Sequence, residues 1–281
     1  MNLRQRSDQL EILDQTGIPF EDIRQNMAEL DAINTLLGGH DITVSGIRKI
    51  LNAFRTDGQE PLRTHPLHIC EIGCGGGDNL RAVAMAIAKK AGGNRQEDMG
   101  NTPNERSWRN VEGGNRPKIG GGMLRLTGID LKPECIRYAR DRWVGDAEVE
   151  WVVSDFRDHQ FTEKPDIIFS SLFCHHFKDP EVAEIYRWSA GNSRLGFFMN
   201  DLQRHPLAYH SIGLLTKLFS KSYLVKNDAP LSVARGFKRD ELERILQAGI
   251  QDIPMQTAIA WKWAFRWLLT AVHATPGGGD G

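Results

Sequence analysis

Apolar residues along the first 60 positions recur every three or four residues, the spacing that places side chains on one face of an α-helix. The pattern predicts helical structure over residues 8–60, with a break at Pro19 and a stop at Gly38-Gly39. We therefore expect an N-terminal helical cap, residues 1–60, ahead of a main domain, residues 61–281. The positions expected to face inward are Leu10, Leu13, Ile23, Met27, Leu30, Ile33 and Leu37, followed by Val44, Ile47, Ile50, Leu51 and Phe54.

From residue 66 onward, short continuous apolar runs alternate with stretches of helical spacing. Runs of this length are typical of strands buried on both faces, and their alternation with helices predicts a parallel sheet in an α/β fold. The expected strands are Leu67–Ile72, Leu124–Asp130, Val149–Ser154, Asp166–Leu172 and Arg194–Asn200, with helices after Gly77, at Pro133–Arg142 and at Pro180–Ala190.

Two segments depart from this alternation. Residues 90–122 contain eight glycines and almost no apolar residues, so we expect a mobile insertion there. Residues 201–240 show helical spacing and are expected to form a helical lid, with a further helix at Asp240–Ala248. Within residues 257–270, Ile259, Trp261, Trp263, Phe265 and Trp267 alternate with Ala260, Lys262, Ala264 and Arg266. This period of two predicts a strand or hairpin with the tryptophans on its buried side.

Composition and charge argue against several classes of protein. The chain has 35 basic and 36 acidic residues, a net charge of −1, so no global positive field favours a nucleic acid. No apolar run approaches the roughly 18 residues that cross a bilayer. Cys70, Cys74, Cys135 and Cys174 are too scattered for a disulfide framework, and no second pair completes a zinc site. We expect a cytoplasmic protein with no metal, no nucleic-acid partner and no membrane span.

A glycine-rich loop, Glu71-Ile-Gly73-Cys-Gly75-Gly-Gly77, joins the first strand to a helix. Glycines allow unusual backbone dihedral angles and close approach of a ligand, and the helix start can receive a carboxylate. A dinucleotide-binding loop requires Gly or Ala where this chain has Asp78, and that acid would face a pyrophosphate. Glu71 suits a ligand with an ammonium group and no phosphate. An ordinary glycine-rich turn is the remaining alternative.

Acidic residues also follow the next two strands. Asp130 lies 57 residues after Gly73, but without the 33-residue insertion the separation is 24, close to the spacing of about 20 for a ribose-binding acid. Its two carboxylate oxygens can accept both ribose hydroxyls; a helix N-cap is the alternative. Asp155-Phe156 offers an acceptor for an adenine amine and an aromatic face for the ring, or forms a plain turn.

Taken together, EIGCGGG, the GID of Gly128–Asp130, VSDF and DIIFSSLFCHHF resemble class I S-adenosylmethionine-dependent methyltransferases of the quinone-biosynthesis type, over about residues 66–200. The resemblance implies a Rossmann-like, seven-stranded sheet with an antiparallel last strand, and S-adenosylmethionine as cofactor. The flanking segments resemble a bacterial subgroup linked to polyketide or quinone-like pathways, which implies a small aromatic or polyketide-like hydroxylated acceptor. We assign cofactor contacts to Glu71, Gly73, Cys74, Gly75, Asp130, Leu131, Asp155, Phe156 and Ser171.

Methyl transfer requires an acceptor atom held in line with the methyl group, and a base helps where the acceptor carries a proton. Candidates follow the fourth and fifth strands: His176 first, then His175, Asp201 and His205. Because His175 and His176 are adjacent, we expect at most one to face the cleft, and structural hydrogen bonding is their alternative role. For Asp201 the alternative is to cap the segment that ends at the Pro206 helix. The alternative functions are a catalytically silent S-adenosylmethionine-binding partner protein and a protein or RNA methyltransferase.

Overall fold

Seven strands form one sheet in the computed structural model, which describes residues 3–55, 65–92, 124–145 and 147–274. They are β1 (Leu67–Ile72), β2 (Leu124–Asp130), β3 (Glu148–Val153), β4 (Ile167–Ser171), β5 (Gly196–Leu202), β6 (Met255–Lys262) and β7 (Arg266–His273). Their order across the sheet is β3-β2-β1-β4-β5-β7-β6, and β7 runs antiparallel to both of its neighbours. The predicted seven-stranded α/β sheet with an antiparallel last strand is confirmed.

Helices cover both faces of this sheet. They are α1 (Phe20–Leu36), α2 (Gly39–Arg55), α3 (Asp78–Gly92), α4 (Pro133–Arg142), α5 (Asp179–Asn192), α6 (Pro206–Phe219), α7 (Tyr223–Arg235) and α8 (Arg239–Ile250). Helices α5 and α8 pack on one face, while α2 and α3 pack on the other. Strands β1 and β4 are buried along their whole length, which explains their continuous apolar runs. None of the described helices is long and apolar enough to cross a membrane.

The N-terminal region differs in part from the prediction. Helix α2 packs directly on the sheet, so closely that a Cβ atom on Gly46 would come within 2.6 Å of the Phe198 ring. The first helix begins at Phe20 instead of residue 8, with only a 3-10 turn before it at Ile12–Asp14, and Leu10 is 70% exposed. Residues 7–13 do not form an α-helix, because the backbone amides of Ser7, Ile12 and Leu13 bond to helix α7, where Asp228 accepts the last two.

The C-terminal alternating segment is a hairpin whose turn lies at residues 263–265. The chain reverses there, so a single alternation does not continue through it. The buried face predicted for Trp261 and Trp263 is wrong: Trp263 is 68% exposed, whereas Trp267 on the inner strand β7 is buried. The difference arises because β6 is the edge strand of the sheet and has little covering its outer residues.

The boundary predicted at residue 60 and most of the predicted insertion at 90–122 fall outside the described residues. Only the first part of that insertion, residues 90–92, is described, and it forms the end of α3. The division into a cap, a main domain and a lid therefore stays a prediction.

Candidate cofactor and acceptor site

The carboxyl ends of the parallel strands open onto a cavity of about 670 Å³. This is the edge where ligands bind in open α/β sheets, and the volume lies within the usual range for small-molecule sites. Helices α1, α6 and α7 and the β6–β7 turn cover the cavity from the other side.

The glycine loop lines this cavity in a conformation that requires glycine. Gly73, Gly75 and Gly77 have φ angles of +64°, +50° and +69°, which side chains rarely adopt. A Cβ atom on Gly73 would overlap the ring of Phe173, and one on Gly77 would come within 2.6 Å of Trp151. The loop is therefore fixed both by its backbone angles and by the aromatic rings against it.

Glu71 lies behind the loop and lines the cavity, although it is 1% exposed. Its Oε1 accepts a hydrogen bond from Asn79 at 3.1 Å, while its Oε2 has no hydrogen-bond partner among the described residues. Burial raises the pKa of Glu71 well above its usual value, and Asp78 and Asp130 add to this effect. A cationic group in the cavity would satisfy the second oxygen and stabilise the carboxylate.

Asp130 connects the glycine loop to the next strand. Its two oxygens accept the backbone N–H groups of Gly75 at 2.8 Å and Lys132 at 2.9 Å. It does not cap helix α4, whose N-cap residue is Lys132. A carboxylate oxygen has two lone pairs, so each one can still accept a ligand hydroxyl.

Asp155 and Phe156 follow β3 at the same edge. Asp155 caps the 3-10 turn Phe156–Asp158 by accepting the Arg157 amide at 2.9 Å, so the turn foreseen as the alternative is present. Phe156 lines the cavity but is mostly buried, with edge-to-face contacts to Phe173 and Trp188.

All nine residues assigned to the cofactor line this one cavity. They are Glu71, Gly73, Cys74, Gly75, Asp130, Leu131, Asp155, Phe156 and Ser171. The set comes from the ends of four strands, β1 to β4. The structure thus brings the assigned residues together, and their role in binding stays a prediction.

A cluster of buried charged side chains forms another part of the cavity wall. His175 Nδ1 is 2.7 Å from Asp201 Oδ1, and its Nε2 is 3.5 Å from Glu11 Oε1. Burial alone would lower the pKa of His175, but the carboxylates of Asp201 and Glu11 raise it to about 9. His175 is therefore protonated at neutral pH, which argues against its predicted role as a base.

His176 belongs to the same cluster. Its Nδ1 is 2.9 Å from Asp14 Oδ1, and its Nε2 is 3.9 Å from Glu11 Oε2. Burial raises the pKa of Asp14, but His176 and Arg235 lower it below its usual value overall. Both histidines line the cavity, so the expectation that at most one would face it is wrong. The two residues lie in the 3-10 turn Cys174–His176, and the centroids of their rings are 4.3 Å apart.

Two of the predicted catalytic residues lie outside the cavity wall. Asp201 is fully buried behind His175 and accepts its ring and backbone N–H groups. His205 caps helix α6, since its Nδ1 accepts the Leu207 amide at 3.2 Å, and its ring stacks on Phe265. Capping was foreseen as the alternative for Asp201, but the residue that caps α6 is His205.

Sequence reasoning missed three residues of the wall: Glu11, Asp14 and Arg266. Glu11 and Asp14 lie in the non-helical N-terminal segment, and Arg266 starts β7, so no local motif indicates them. The ligand atoms of Glu11, His175 and His176 lie within 4.8 Å of one another, as do those of Asp31, His40 and Asp78. Either group has the spacing to hold a metal ion, although ion pairs and hydrogen bonds already connect its members.

Comparisons with known proteins agree with this fold. A family model described as a methyltransferase domain matches residues 112–195, a range that begins after the glycine loop. A search of curated proteins gave no match.

Solved structures with a similar fold include the plantazolicin methyltransferase BpumL. Its complex with a pentazolic desmethylPZN analogue and SAH gives a TM-score of 0.58 at 13% identity, over 91% of this chain and 97% of that chain. The plantazolicin methyltransferase BamL, with a triazolic analogue and SAH, gives 0.52 at 15% identity, over 86% and 78%. At these identities the structures establish the fold. The chain therefore shares the fold of methyltransferases solved with SAH, and part of it matches a methyltransferase domain.

Proposed function

We propose that the protein transfers a methyl group from S-adenosylmethionine to a small hydroxylated acceptor of aromatic, polyketide-like or quinone-like type. One observation carries the proposal. A single cavity is lined both by the glycine loop with Asp130 and by the Glu11–His175–His176 cluster, under an apolar cover. Donor and acceptor can therefore meet in one enclosed space, as methyl transfer requires.

The residues at the donor end fit the cofactor. The unpaired Oε2 of Glu71 suits the ammonium group of the cofactor. The glycines of the loop have no side chains, so the cofactor can approach the loop closely, and Asp130 suits its ribose hydroxyls. The start of α3, where Asp78 begins the helix, offers free backbone N–H groups for its carboxylate. The cofactor supplies an electrophilic methyl group, so the protein's task is mainly to position both partners.

The acceptor end fits a flat apolar molecule. Side chains of α1, α6 and the β6–β7 turn cover it, and the apolar members are Leu30, Ile33, Leu37, Ile212, Leu215 and Phe265. Such walls suit aromatic rings, and no basic aromatic surface of the kind that binds RNA accompanies them in the described part of the chain.

We assign the base to His176. The lowered pKa of Asp14 keeps that carboxylate ionised, so it holds the Nδ1–H of His176 and leaves Nε2 to take a proton. His175 and Asp201 act as positioning residues, because the protonated His175 pairs with both Asp201 and Glu11. His205 stays a weaker candidate beside the cavity.

The described cysteines support a reducing compartment. Cys70, Cys74, Cys135 and Cys174 are all buried and free, as is usual where thiols remain reduced. We propose the cytoplasm.

The cofactor site is tested by Asp130→Ala. Loss of two hydrogen bonds to a charged group should weaken binding of S-adenosylhomocysteine by about 100-fold, measured by isothermal titration calorimetry. Asp141→Ala is the matched control, because Asp141 is an exposed acid at the end of α4, and it should bind like wild type. Unchanged affinity in Asp130→Ala would refute the ribose assignment, provided that circular dichroism shows the same fold.

The acceptor is tested with radiolabelled S-adenosylmethionine and a small-molecule extract of the source cell. Label should appear in a small aromatic or polyketide-like product, and His176→Ala should form it more slowly while binding the cofactor normally. Label in protein or RNA would favour the second enzymatic function, and cofactor binding without any transfer would favour a catalytically silent partner protein.

A further inference from the structure

The cavity wall contains a buried cation whose donors are only partly used. Arg266, the first residue of β7, is 3% exposed and lines the cavity. Its Nη2 donates to Asn34 Oδ1 at 2.7 Å, whereas Nε and Nη1 have no hydrogen-bond partner among the described residues. A buried guanidinium with unused donors is strongly unfavourable unless an anion accompanies it.

Among the described residues, no carboxylate near Arg266 is left free to serve as that anion. The carboxylates that act on Arg266 electrostatically are Asp201 and Asp78, and both already have other partners. Asp201 accepts from His175 and from two backbone amides, and Asp78 faces His40 at 3.6 Å. Burial lowers the pKa of Arg266 to about 10, so it still carries its charge at neutral pH.

The sheet order places Arg266 away from the adenosine end. Asp130 and Asp155 follow β2 and β3, on one side of β1, whereas β7 lies three strands beyond β1 on the other side. At about 4.8 Å between strands, that separation is about 14 Å. The β6–β7 turn that precedes Arg266 also covers the acceptor end of the cavity.

We propose that Arg266 binds a carboxylate of the acceptor, so that the natural acceptor is an anionic molecule such as a hydroxylated aromatic acid. Its two unused donor nitrogens supply charge-assisted hydrogen bonds to the carboxylate. The proposal rests on the proposed function, because it assumes that an acceptor enters this cavity beside the cofactor. The carboxylate of the cofactor is the other possible source of the same chemistry, and the experiment separates the two.

The acceptor side is tested with salicylate and its neutral isostere salicylamide, titrated into protein saturated with S-adenosylhomocysteine. Wild type should bind salicylate about tenfold more tightly than salicylamide. Arg266→Gln should lose that preference, and Arg266→Lys should keep part of it. Lys262→Gln is the matched control. Lys262 lies opposite Arg266 in the strand register of the hairpin but does not line the cavity, so this variant should keep the preference. Absence of salicylate binding to wild type in the millimolar range would overturn the proposal.

The cofactor side is tested with S-adenosylhomocysteine and 5′-methylthioadenosine, which lacks the amino-acid carboxylate. The ratio of their affinities should be the same in wild type and in Arg266→Gln. A collapse of that ratio in the variant would assign Arg266 to the cofactor carboxylate and overturn the acceptor assignment. Failure of wild type to bind S-adenosylhomocysteine would contradict the proposed function itself, a result distinct from loss of the salicylate preference alone.

Discussion

His175 shows how neighbouring carboxylates can raise the pKa of a buried histidine. It is 3% exposed, yet carboxylates face both ring nitrogens. In such a position the protonated ring is the stable form, and its charge fixes the orientation of Glu11 and Asp201. A histidine found next to another in the sequence can therefore be a buried cation that positions the carboxylates around it.

The raised pKa of His175 predicts a loss of stability at alkaline pH. The folded protein keeps a proton up to about pH 9, whereas the unfolded chain releases it near 6.5. The free energy of unfolding should therefore fall as pH rises above 6.5, by about 2 kcal/mol between pH 6.5 and 8. Urea denaturation between pH 6.5 and 8 measures this fall. The range lies below the pH at which cysteine thiols exposed by unfolding ionise.

A variant isolates the contribution of His175. The pKa of His40 is also raised, because Asp31 and Asp78 outweigh the effect of burial, so it contributes a fall of the same sign. His175→Gln should flatten the dependence on pH relative to wild type, although it is less stable throughout because Asp201 loses its partner. His210→Gln, an exposed control on α6, should follow the wild-type curve. An equal slope in wild type and His175→Gln would show that His175 is not the buried cation.

At the scale of elements, the β1–loop–α3 unit is the part of the site that local sequence describes best. Its strand is short and apolar, its loop is rich in glycine, and its helix has a regular apolar face. What the sequence does not show is the ring that each glycine faces. Phe173 follows β4, far along the chain from Gly73.

Gly73→Ala should therefore be much more damaging than an ordinary glycine replacement. The new methyl group would overlap Phe173 at a φ of +64°, so we expect a loss of about 2 kcal/mol or more and weaker cofactor binding. Gly191→Ala in α5 is the matched control. A Cβ atom there meets nothing within 4 Å, and the change should be neutral or stabilise by up to about 1 kcal/mol. Thermal unfolding compares the two, and equal effects would contradict the packing argument.

The sequence predicted the strands more accurately than the segments at either end of the chain. The spacing of apolar residues depends only on neighbouring positions, and such spacing is regular within each of the strands β1 to β5 and the helices between them. The conformation of residues 7–13 depends on hydrogen-bond acceptors more than 200 positions away, such as Asp228. The spacing of apolar residues does not reveal such distant contacts. Trp263 was misassigned for a related reason: an alternating pattern does not show where a strand reverses.

At the scale of the whole molecule, the two ends of the chain close the same cavity. The N-terminal segment brings Glu11 and Asp14, and the C-terminal hairpin brings Arg266. The glycine loop and Asp130 could be predicted to lie together because each directly follows or ends a strand that local sequence marks clearly, β1 and β2. The acceptor side could be identified only in part, because its residues come from segments that meet only after folding.

Asp228 in α7 connects these segments, since its Oδ1 accepts the Ile12 amide at 2.8 Å and its Oδ2 the Leu13 amide at 3.0 Å. Asp228→Ala would leave two amides without acceptors and release Glu11 and Asp14, so we expect a stability loss of about 2 kcal/mol or more. Hydrogen exchange should show lost protection in residues 3–15 with the sheet unchanged, and methyl transfer should fall more than affinity for S-adenosylhomocysteine. Asp252→Ala, at an exposed ion pair with Arg187, should change neither. Retained protection in residues 3–15 would mean that the arginine contacts of Arg6 and Arg235 suffice to hold the segment.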